Sequence, residues 1–466
     1  MHGAAARWLE AQAERAGRSD EFAGLIAGHL ERADELSGAA EWYQRAGERA
    51  QASSALAEAK RFFDQALALL APGDRAGRWR ALRGREEVLG LRGEREAQRA
   101  DLEALTALAD ELDDRERQAE AAYRRTGYFI ALSDVRAGVG AAEDAIAAAQ
   151  RAGNRSLEVR ARGRLSTMLA RVGELEAAGR MAEAALALVR VLTDDAAVAH
   201  ALTQLGTFYG ESGDLSQAVQ LNTEAIERAR RAGDREMEAL GVISQGSLYN
   251  ALGLFKLARV ALEHGLRLCE AIGDRRGAAY CRHNLSDVYW RSGDRRTAHR
   301  LAEQPLAEFT AIGDAFGRAA VLGYLGYVAE RAGDCAGAGA HLAAAHAEFS
   351  QLGMNAIATE VLAEQARCAL AEGRLDEARQ GAGEMWTYLC EHRSEESAFS
   401  MNVYLGVADI FDALGAVSES RAATEAGYRK LMSRADKITN PEWRRSFLEN
   451  IQEHRALVDL WERLRR

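Results

Sequence analysis

The sequence predicts an all-α fold, a right-handed α-solenoid of about ten to eleven helix pairs, because its turn residues recur with a fixed period. One series of turns is spaced 40 residues apart and runs through Gly173, Gly213, Gly253, Gly293, Gly333 and Gly373. A second series lies halfway between and runs through Gly153, Thr193, Gly233, Gly273, Gly313 and Gly353. The chain also has only 3 prolines in 466 residues, which leaves long stretches free to be helical.

The same register extends towards the N-terminus with other turn-forming residues in place of some glycines. The first series continues back through Ser133, Gly93 and Ser53, and the second continues back through Asp113 and Gly73. Strict self-similarity with a period between 20 and 50 residues is typical of repeat architectures, in which each unit packs only on its neighbours. We therefore expect one regular array from about residue 53 to about residue 393.

The repeat register divides the chain into three parts. Residues 1–52 are assigned to N-terminal helix pairs with looser spacing, residues 53–435 to the regular array, and residues 436–466 to a C-terminal capping helix. Asn440 as N-cap and Pro441 at the first helical position begin this last helix, which should cover the apolar face of the final repeat. One continuous superhelix is expected.

The turns themselves have a helix-ending and helix-starting chemistry. In the second series Gly233, Gly273 and Gly313 are each followed by aspartate. Glycine just after a helix adopts left-handed backbone angles without strain, and the aspartate that follows can cap the next helix with its carboxylate. Each half-period is therefore predicted to be one helix and one turn.

Small and large residues occupy fixed offsets from each turn. The repeat around the turn at residue 213 carries, in its two helices, Gly206, Tyr209, Ala218 and Ala225. This pattern resembles the tetratricopeptide repeat (TPR), in which a small residue in helix A lets helix B approach and alanines in helix B pack on the next pair. The resemblance covers nearly the whole chain and implies a binding role, with many different partners known for such folds.

The two ends of the chain carry a second resemblance. The segments Ala6 to Glu10, Phe22 to Ala33 and Ala40 to Ala50 are similar to the start of the C-terminal TPR region of large bacterial signalling proteins, and Asn440 to Ile451 and Glu453 to Leu457 are similar to its end. In those proteins this region follows a STAND or AAA-type ATPase, often with an adenylate/guanylate cyclase or a LuxR-type DNA-binding domain. The resemblance implies that this chain is a sensory or regulatory arm, excised or free-standing.

Composition limits the partners and the compartment. The formal net charge of −10 argues against a nucleic-acid duplex as partner, because phosphate neutralisation needs a basic surface. No segment has the roughly 18 consecutive apolar residues that a membrane span requires. A cytoplasmic, soluble protein without disulfides or a zinc site is expected, since there is no CxxC pair among Cys269, Cys281, Cys335, Cys368 and Cys390.

No constellation for catalysis, cofactor or metal binding is found. There is no GxxxxGK[ST] motif, no HExxH and no GxSxG, and the glycine pairs at 138–140 and 337–339 fit close helix packing better than a nucleotide loop. His341 and His346 are five residues apart, which places them on different helix faces. The scattered histidines are best explained as surface or groove residues; they are His200, His264, His283, His299, His341, His346 and His392. The chain is expected to be non-enzymatic.

The repeat register indicates which side chains line the inner groove that TPR folds use for ligands. Most of these positions lie three before and one, four or five after the small residue of helix A. Aromatic, arginine and polar side chains at these positions favour a protein or peptide partner. The predicted groove residues are Tyr123, Arg160, His200, Thr203, Thr207, Asn250, Tyr280, His283, Asp287, Trp290, Arg291, Tyr327, Arg331 and Arg367.

Two other functions remain open at the level of sequence. The chain could be a free-standing scaffold that assembles other proteins or itself through the apolar ends of the array, in which case an oligomer is expected. It could also be an enzyme whose site inside the superhelix has no recognised motif, which would need a convergent cluster of buried titratable groups. The leading interpretation is a ligand-binding or protein-binding regulatory arm.

Overall fold

The structure is a computed structural model that describes residues 1–15, 21–53, 55–132, 134–172, 174–391 and 401–465. Three residues named above, Ser133, Gly173 and His392, lie outside these ranges. Within the described residues every regular element is an α-helix and no strand occurs. The predicted all-α helical repeat is therefore confirmed.

The helices follow one another with short turns. Helices α11, α13, α15, α17 and α19 begin at residues 195, 235, 275, 315 and 355. The elements are α1 (His2–Arg15), α2 (Ala23–Glu31), α3 (Leu36–Ala52), α4 (Leu56–Leu69), α5 (Arg75–Arg92), α6 (Arg95–Glu111), α7 (Arg115–Ala131), α8 (Val135–Ala152), α9 (Arg155–Arg171), α10 (Leu175–Val189), α11 (Asp195–Glu211), α12 (Leu215–Ala232), α13 (Arg235–Ala251), α14 (Phe255–Ile272), α15 (Arg275–Arg291), α16 (Arg295–Ile312), α17 (Ala315–Arg331), α18 (Cys335–Gln351), α19 (Asn355–Ala371), α20 (Leu375–Glu391), α21 (Met401–Ala413), α22 (Val417–Asp436), α23 (Pro441–Glu449) and α24 (Gln452–Leu464).

The predicted turn chemistry is present at the junctions between pairs. Gly233, Gly273 and Gly313 have φ values of 70°, 74° and 70°, in the left-handed region that glycine tolerates. The aspartate after each of them accepts a hydrogen bond from a backbone N–H in the first turn of the next helix; for example, the Asp234 carboxylate accepts from the Met237 N–H at 2.9 Å. These local interactions end one helix and start the next.

Within a pair, small residues let the two helices touch. A methyl group at Gly246 would lie 2.5 Å from a side-chain carbon of Leu262, and one at Gly326 would lie 2.4 Å from Leu342. Ser286 takes the equivalent position in α15, and its hydroxyl donates to the Ala298 carbonyl at 2.8 Å. The two helices of a pair thus approach as closely as the TPR pattern predicts, and a larger side chain at these positions would collide with the opposite helix.

The chain divides into two compact units. The first comprises Met1–Leu132 and Gly140–Glu158, and the second Ser133–Val139 and Val159–Arg466. The boundaries expected from the repeat register, at 52/53 and 435/436, do not coincide with this division. Residue 52 is the last residue of α3, which packs directly on α4, so a pair of helices crosses the first expected boundary.

The first unit has a core of alanines and aromatic residues. Its N-terminal cluster packs α1 to α5 around Ile26, Trp42 and Tyr43, and a second cluster packs Trp79 and Leu105 between α5 and α7. A partly buried ion pair adds to the packing: the Arg124 guanidinium donates to the Glu86 carboxylate at 2.7 Å. The unit thus has its own hydrophobic core.

The second unit contains an extensive core of its own. It joins the C-terminal helices α19 to α24 to residues of α12 and of the α13–α14 turn, among them Leu215, Val219 and Leu252. Within this unit the first helices of successive pairs, α11, α13, α15, α17, α19 and α21, contact each other in order. The surface that these first helices form is called the A face below.

The single capping helix expected for residues 436–466 is a wrong prediction in its details. Asn440 does cap a helix, since its side-chain oxygen accepts from the N–H groups of Glu442 and Trp443, but that helix ends at Glu449. Ile451 has extended backbone angles, φ −85° and ψ 118°, and a second helix follows. Asn450, just before the break, still has helical backbone angles, and its side-chain amide donates to the Gly253 carbonyl at 3.2 Å.

Candidate functional site: the A face and its C-terminal cover

A polar network crosses the A face from α13 to α15. The Asn250 amide donates to Asp287 at 2.7 Å, and the Arg291 guanidinium Nε donates to both oxygens of the same carboxylate, at 2.9 and 3.1 Å. Asp287 and Arg291 are four residues apart, so they lie on one face of α15. Three residues predicted to line the groove are therefore brought together.

The next contact comes from a residue that the sequence did not single out. Glu453, in the first turn of α24, accepts hydrogen bonds from the Tyr327 hydroxyl at 3.0 Å and from Arg291 Nη1 at 3.4 Å. The residue is only 7% exposed. A buried carboxylate requires such partners, because an unpaired charge away from water is costly.

The electrostatics of this contact favour the ion pair. Burial by itself would raise the pKa of Glu453, but Arg291, the local backbone N–H and Tyr327 outweigh burial, so the pKa is lowered. Asp287 raises the pKa of Arg291 further above its ordinary range. Burial followed by the charge of Glu453 raises the pKa of Tyr327 to about 12, so the phenol keeps its proton and remains a donor.

The network continues to α19 and α21. Arg331 Nη2 donates to the Asn402 side-chain oxygen at 3.1 Å and lies 4.0 Å from Glu364, while its Nε lies 3.4 Å from Glu330. Asn402 in turn donates to Glu364. Burial raises the pKa of Glu364, with the nearby arginines acting in the opposite direction.

Arg367 lies at the far end of the network. Its Nη2 is 3.6 Å from the Asp409 carboxylate, and the side chain is 11% exposed. Two of its nitrogens, Nε and Nη2, are buried and find no hydrogen-bond partner among the described residues. Guanidinium donors in this state have hydrogen-bonding capacity left over.

The C-terminal segment, defined as Ile438–Leu464, lies against the A face and the neighbouring turns. The Trp443 ring meets the Tyr249 ring edge-on at 6.4 Å, and the Asn450 amide donates to the Gly253 carbonyl. At the start of the segment the Thr439 N–H donates to the Ser216 hydroxyl at 3.1 Å. This corrects the expectation of an open groove, because the chain covers part of that surface with its own last two helices.

Three other predicted groove residues of α15 take different positions. Tyr280 packs edge-on against Phe309 at 4.7 Å, and its hydroxyl donates to Asp314 at 3.1 Å. His283 meets the ring of Tyr324 at 5.6 Å, and burial lowers its pKa although Asp287 opposes this. Trp290 is buried in a small cluster beside Ala298 and Ala302, so it belongs to the core rather than to a binding surface.

The remaining predicted residues lie apart from this network. Thr203 is buried, and its hydroxyl donates to the Ala199 carbonyl at 2.9 Å. Burial and the charges of Arg164 and Arg160 lower the pKa of His200 well below its ordinary value, so this imidazole is neutral. Arg160 lies in the second unit and is half-buried.

Tyr123 is separate from all of them. It lies on α7 of the first unit and is 5% exposed, so it is a core residue. The buried positions of Tyr123, Thr203 and Trp290 correct the expectation that they face a ligand. The C-terminal helices and the packing between pairs decide which of the predicted side chains remain accessible.

An open cleft of about 700 Å³ lies where the C-terminal segment and α12 diverge. Its walls are polar, with Thr223, Arg228 and Arg231 on one side and Asn440 and Trp443 on the other. Arg228 and Arg231 are both paired with Asp195, at 3.0 and 3.1 Å. The cleft therefore lies beside α12, and none of the residues that line it belongs to the first helices of the A face.

Clusters suited to metal binding are not found in the part of the chain that the structure describes. None of its described helices is both long and apolar enough to cross a bilayer. All five cysteines are free thiols. The candidate site is thus a set of amide, guanidinium, phenol and carboxylate groups, which suit recognition of another polypeptide.

Sequence reasoning missed several contributors to this site, among them Asn402, Asp409, Trp443 and Glu453. The first two lie on α21, next to residues outside the described ranges, and the others lie in the C-terminal segment. The only local signal was the Asn440–Pro441 helix start. Nothing in the pattern of residues 440–464 indicates that its partner surface lies more than a hundred residues earlier.

Comparison with known proteins agrees with this fold. A family model described as tetratricopeptide repeat matches residues 157–231. The crystal structure of a Rap protein complexed with competence and sporulation factor is 11% identical, covers 74% of this chain and 99% of its own, and superposes with a TM-score of 0.51. The crystal structure of NprR in complex with its cognate peptide NprX is 14% identical, covers 84% and 99%, and has a TM-score of 0.50. A comparison with curated proteins finds no match.

Proposed function

We propose that this chain is a non-enzymatic, peptide- or protein-binding regulatory module whose ligand site is the A face. The observation that supports the proposal is the set of polar contacts made by Asn250, Asp287, Arg291, Tyr327 and Arg331, which lie on three successive first helices. Amides and phenols bond to peptide groups, and arginines bond to carboxylates with two donors at once. Aromatic and arginine side chains also contribute most of the affinity of many protein interfaces.

Two further considerations support a peptide or protein ligand. The Rap and NprR structures, which share the helical repeat, were determined with a competence and sporulation factor and with the peptide NprX. The ends of the present sequence resemble the TPR region of bacterial STAND/AAA ATPase, cyclase or LuxR-type signalling proteins. As part of the proposal, ligand binding on the A face regulates such a module in the cytoplasm, and an ATPase or cyclase segment belongs to the parent chain or to a partner.

The test is a selection of peptides followed by a comparison of variants. A library of random peptides is selected on the full chain, and the affinity of each selected peptide is measured by fluorescence anisotropy. Replacement Arg331→Gln removes a guanidinium that faces the A face, so we expect a loss of about tenfold or more in affinity, about 1.4 kcal/mol. Replacement Arg300→Gln changes an exposed arginine on α16 and should leave the affinity unchanged.

The variants also define the result that contradicts the proposal. Circular dichroism first verifies that each variant keeps its helical content. Peptides that bind Arg331→Gln and Asn250→Ala as tightly as the unmodified chain would show that the ligand site lies elsewhere. Trp290 is unsuitable for this purpose, because its ring is part of the core and its loss would disturb the fold.

A further inference from the structure

We propose that the C-terminal segment is a displaceable internal occupant of the A face, and that the external partner is a helical segment of the same chemistry. This inference rests on the proposed function. The partner would present a carboxylate in the first turn of a helix, where Glu453 stands, and apolar side chains just before it, where Phe447 and Ile451 stand. The segment would then compete with the partner for one surface.

The carboxylate contact can be exchanged without leaving a buried charge unpaired. One carboxylate oxygen of Glu453 accepts from the Tyr327 hydroxyl and the other from the Arg291 guanidinium. Arg291 is also paired with the Asp287 carboxylate at 2.9 Å. A carboxylate from a partner can occupy the same place and satisfy both donors. Removal of Glu453 without replacement would leave donors in a partly dry environment, which favours exchange over simple opening.

The A face also offers donors that the C-terminal segment does not use. Arg367 has two buried nitrogens without a hydrogen-bond partner among the described residues, and its nearest carboxylate is 3.6 Å away. Among the described residues, the Arg331 guanidinium donates to the Asn402 amide oxygen at 3.1 Å, and the Glu330 and Glu364 carboxylates lie farther away. A partner with a second acidic side chain that reaches these arginines gains interactions that the internal occupant lacks.

The backbone of the turn at Gly253 is shaped to receive a helix. Gly253 has φ +71°, and a Cβ atom there would lie 2.8 Å from the Ser446 carbonyl oxygen. The equivalent turn glycine of another pair, Gly333, has φ +82°, and no described atom lies within 4 Å of its Cβ position. The close approach at Gly253 is therefore specific to docking of the segment and is not a requirement of the turn.

Because the C-terminal segment belongs to the same chain, an external partner needs a minimum affinity or concentration to displace it. A segment attached to the same chain competes at an effective concentration that can reach the millimolar range for a short linker. The apparent affinity of a partner is reduced by the fraction of molecules in which the A face is closed. Only a partner that binds the A-face arginines (Arg291, Arg331 and Arg367) better than the C-terminal segment does, or one at high local concentration, can displace the segment.

Two matched pairs of variants test whether the segment can be released. Glu453→Gln removes the buried carboxylate, and Glu449→Gln changes an exposed glutamate at the end of α23. Gly253→Ala adds a methyl group against Ser446, and Gly333→Ala adds the same methyl group and the same backbone strain at an unoccupied turn. Hydrogen exchange of residues 441–464 and 247–254 is measured by mass spectrometry. Faster exchange is expected in Glu453→Gln and Gly253→Ala, and unchanged exchange in the two controls.

A labelled peptide with the sequence of residues 438–465 then tests binding in trans. Its affinity for the Glu453→Gln chain should be about tenfold or more above that for the unmodified chain, because a charge-paired contact no longer competes. The Glu449→Gln chain should behave as unmodified. A peptide that itself carries Glu453→Gln should bind the released chain about tenfold or more weakly, and Arg291→Gln in the chain should have a similar effect.

Three results would overturn the inference. One is equal protection of the segment in Glu453→Gln and in its control, together with equal protection in the two glycine variants. Another is equal peptide affinity for the released and unmodified chains. The third is a dimer of Glu453→Gln in light scattering, which would make a second copy the occupant. The proposed function is tested independently of these three results. It stands if peptides from the random library bind the A face, and it fails if none binds there.

Discussion

At the scale of single residues, the C-terminal segment holds two adjacent groups, Glu453 and His454, whose protonation opposes its docking. His454 is 9% exposed, its ring lies 4.3 Å from that of Phe447, and its Nδ1 is 2.7 Å from the Phe447 carbonyl oxygen, so this nitrogen carries the proton. Burial lowers the pKa of His454 to about 4, with Phe447 and Glu453 opposing and Arg291 and Arg434 assisting. The other nitrogen has no proton at neutral pH.

The sign of the pH effect follows from these two groups. Between about pH 6.5 and pH 4 the unfolded chain binds a proton at His454 that the folded chain excludes, so stability falls as the pH falls, by at most about 3 kcal/mol. The lowered pKa of Glu453 acts in the same direction, since its contribution is lost as the pH falls through that pKa. Acid therefore weakens docking of the segment.

We expect thermal unfolding, followed by circular dichroism, to occur at a lower temperature at pH 5 than at pH 7.5. Replacement His454→Gln keeps a donor for the Phe447 carbonyl but cannot titrate, so it should make this pH dependence shallower. Replacement His299→Gln removes an exposed imidazole and should leave the slope as it was. An unchanged slope in His454→Gln would show that this imidazole is not responsible.

At the scale of helices, the aspartate caps differ in how many interactions they hold. Asp334 caps α18 through the Gly337 N–H at 2.8 Å and is exposed. Asp314 caps α17 through the Gly317 N–H at 2.9 Å, and its other oxygen also accepts from Tyr280 and from Arg276. One cap thus joins two successive pairs, whereas the other serves only its own helix.

Replacement Asp334→Ala should lower the free energy of unfolding by about 1 kcal/mol, the ordinary cost of a lost cap. Asp314→Ala should cost about 2 to 4 kcal/mol, because the Tyr280 hydroxyl and the Arg276 guanidinium lose their partner as well. Urea unfolding of both variants measures the difference. Equal losses in the two variants would mean that the link between α15 and α17 adds nothing to stability.

These caps and turns are also where sequence reasoning succeeded. A glycine followed by an aspartate acts within a few residues, so its effect can be inferred without knowledge of the rest of the fold. The interruption of the last helix after Asn450 could not be inferred, because no proline or glycine marks it in the sequence. The residues from Asn440 onward predict a helix that caps the final repeat, whereas in the structure they also contact helices of earlier repeats.

At the scale of the whole molecule, many arginines are paired with carboxylates of the same chain. Paired examples occur in both units: Arg85–Asp101, Arg124–Glu86, Arg228–Asp195, Arg282–Glu308 and Arg318–Glu348. The formal net charge is −10. Guanidinium groups that are paired with carboxylates of the same chain do not form a basic stripe of the kind that duplex DNA requires.

We therefore expect no binding of a labelled DNA duplex at 150 mM salt in fluorescence anisotropy, at protein concentrations up to about 10 μM, since non-specific affinities in this range need several free basic groups. A basic DNA-binding protein of similar size serves as the positive control. Saturable binding with a steep salt dependence would contradict this prediction and would reopen a direct role with nucleic acid.

The site as a whole was predicted in part. The register gave the helix face on which Asn250, Asp287, Arg291, Tyr327 and Arg331 lie, because a 40-residue repeat fixes which positions are equivalent. It did not give the division into two compact units or the cover over the A face. Both depend on contacts between residues far apart in sequence, which periodicity does not encode.

The contact between Tyr327 and Glu453 joins residues that are 126 positions apart. A ribosome adding about 5 to 20 residues per second needs roughly 6 to 25 s to synthesise that interval. The repeats from α11 to α17 therefore emerge and can fold well before the residues that cover them exist. During each round of synthesis the A face of the nascent polypeptide is therefore uncovered, and a partner of the proposed kind would meet no intramolecular competitor in that interval.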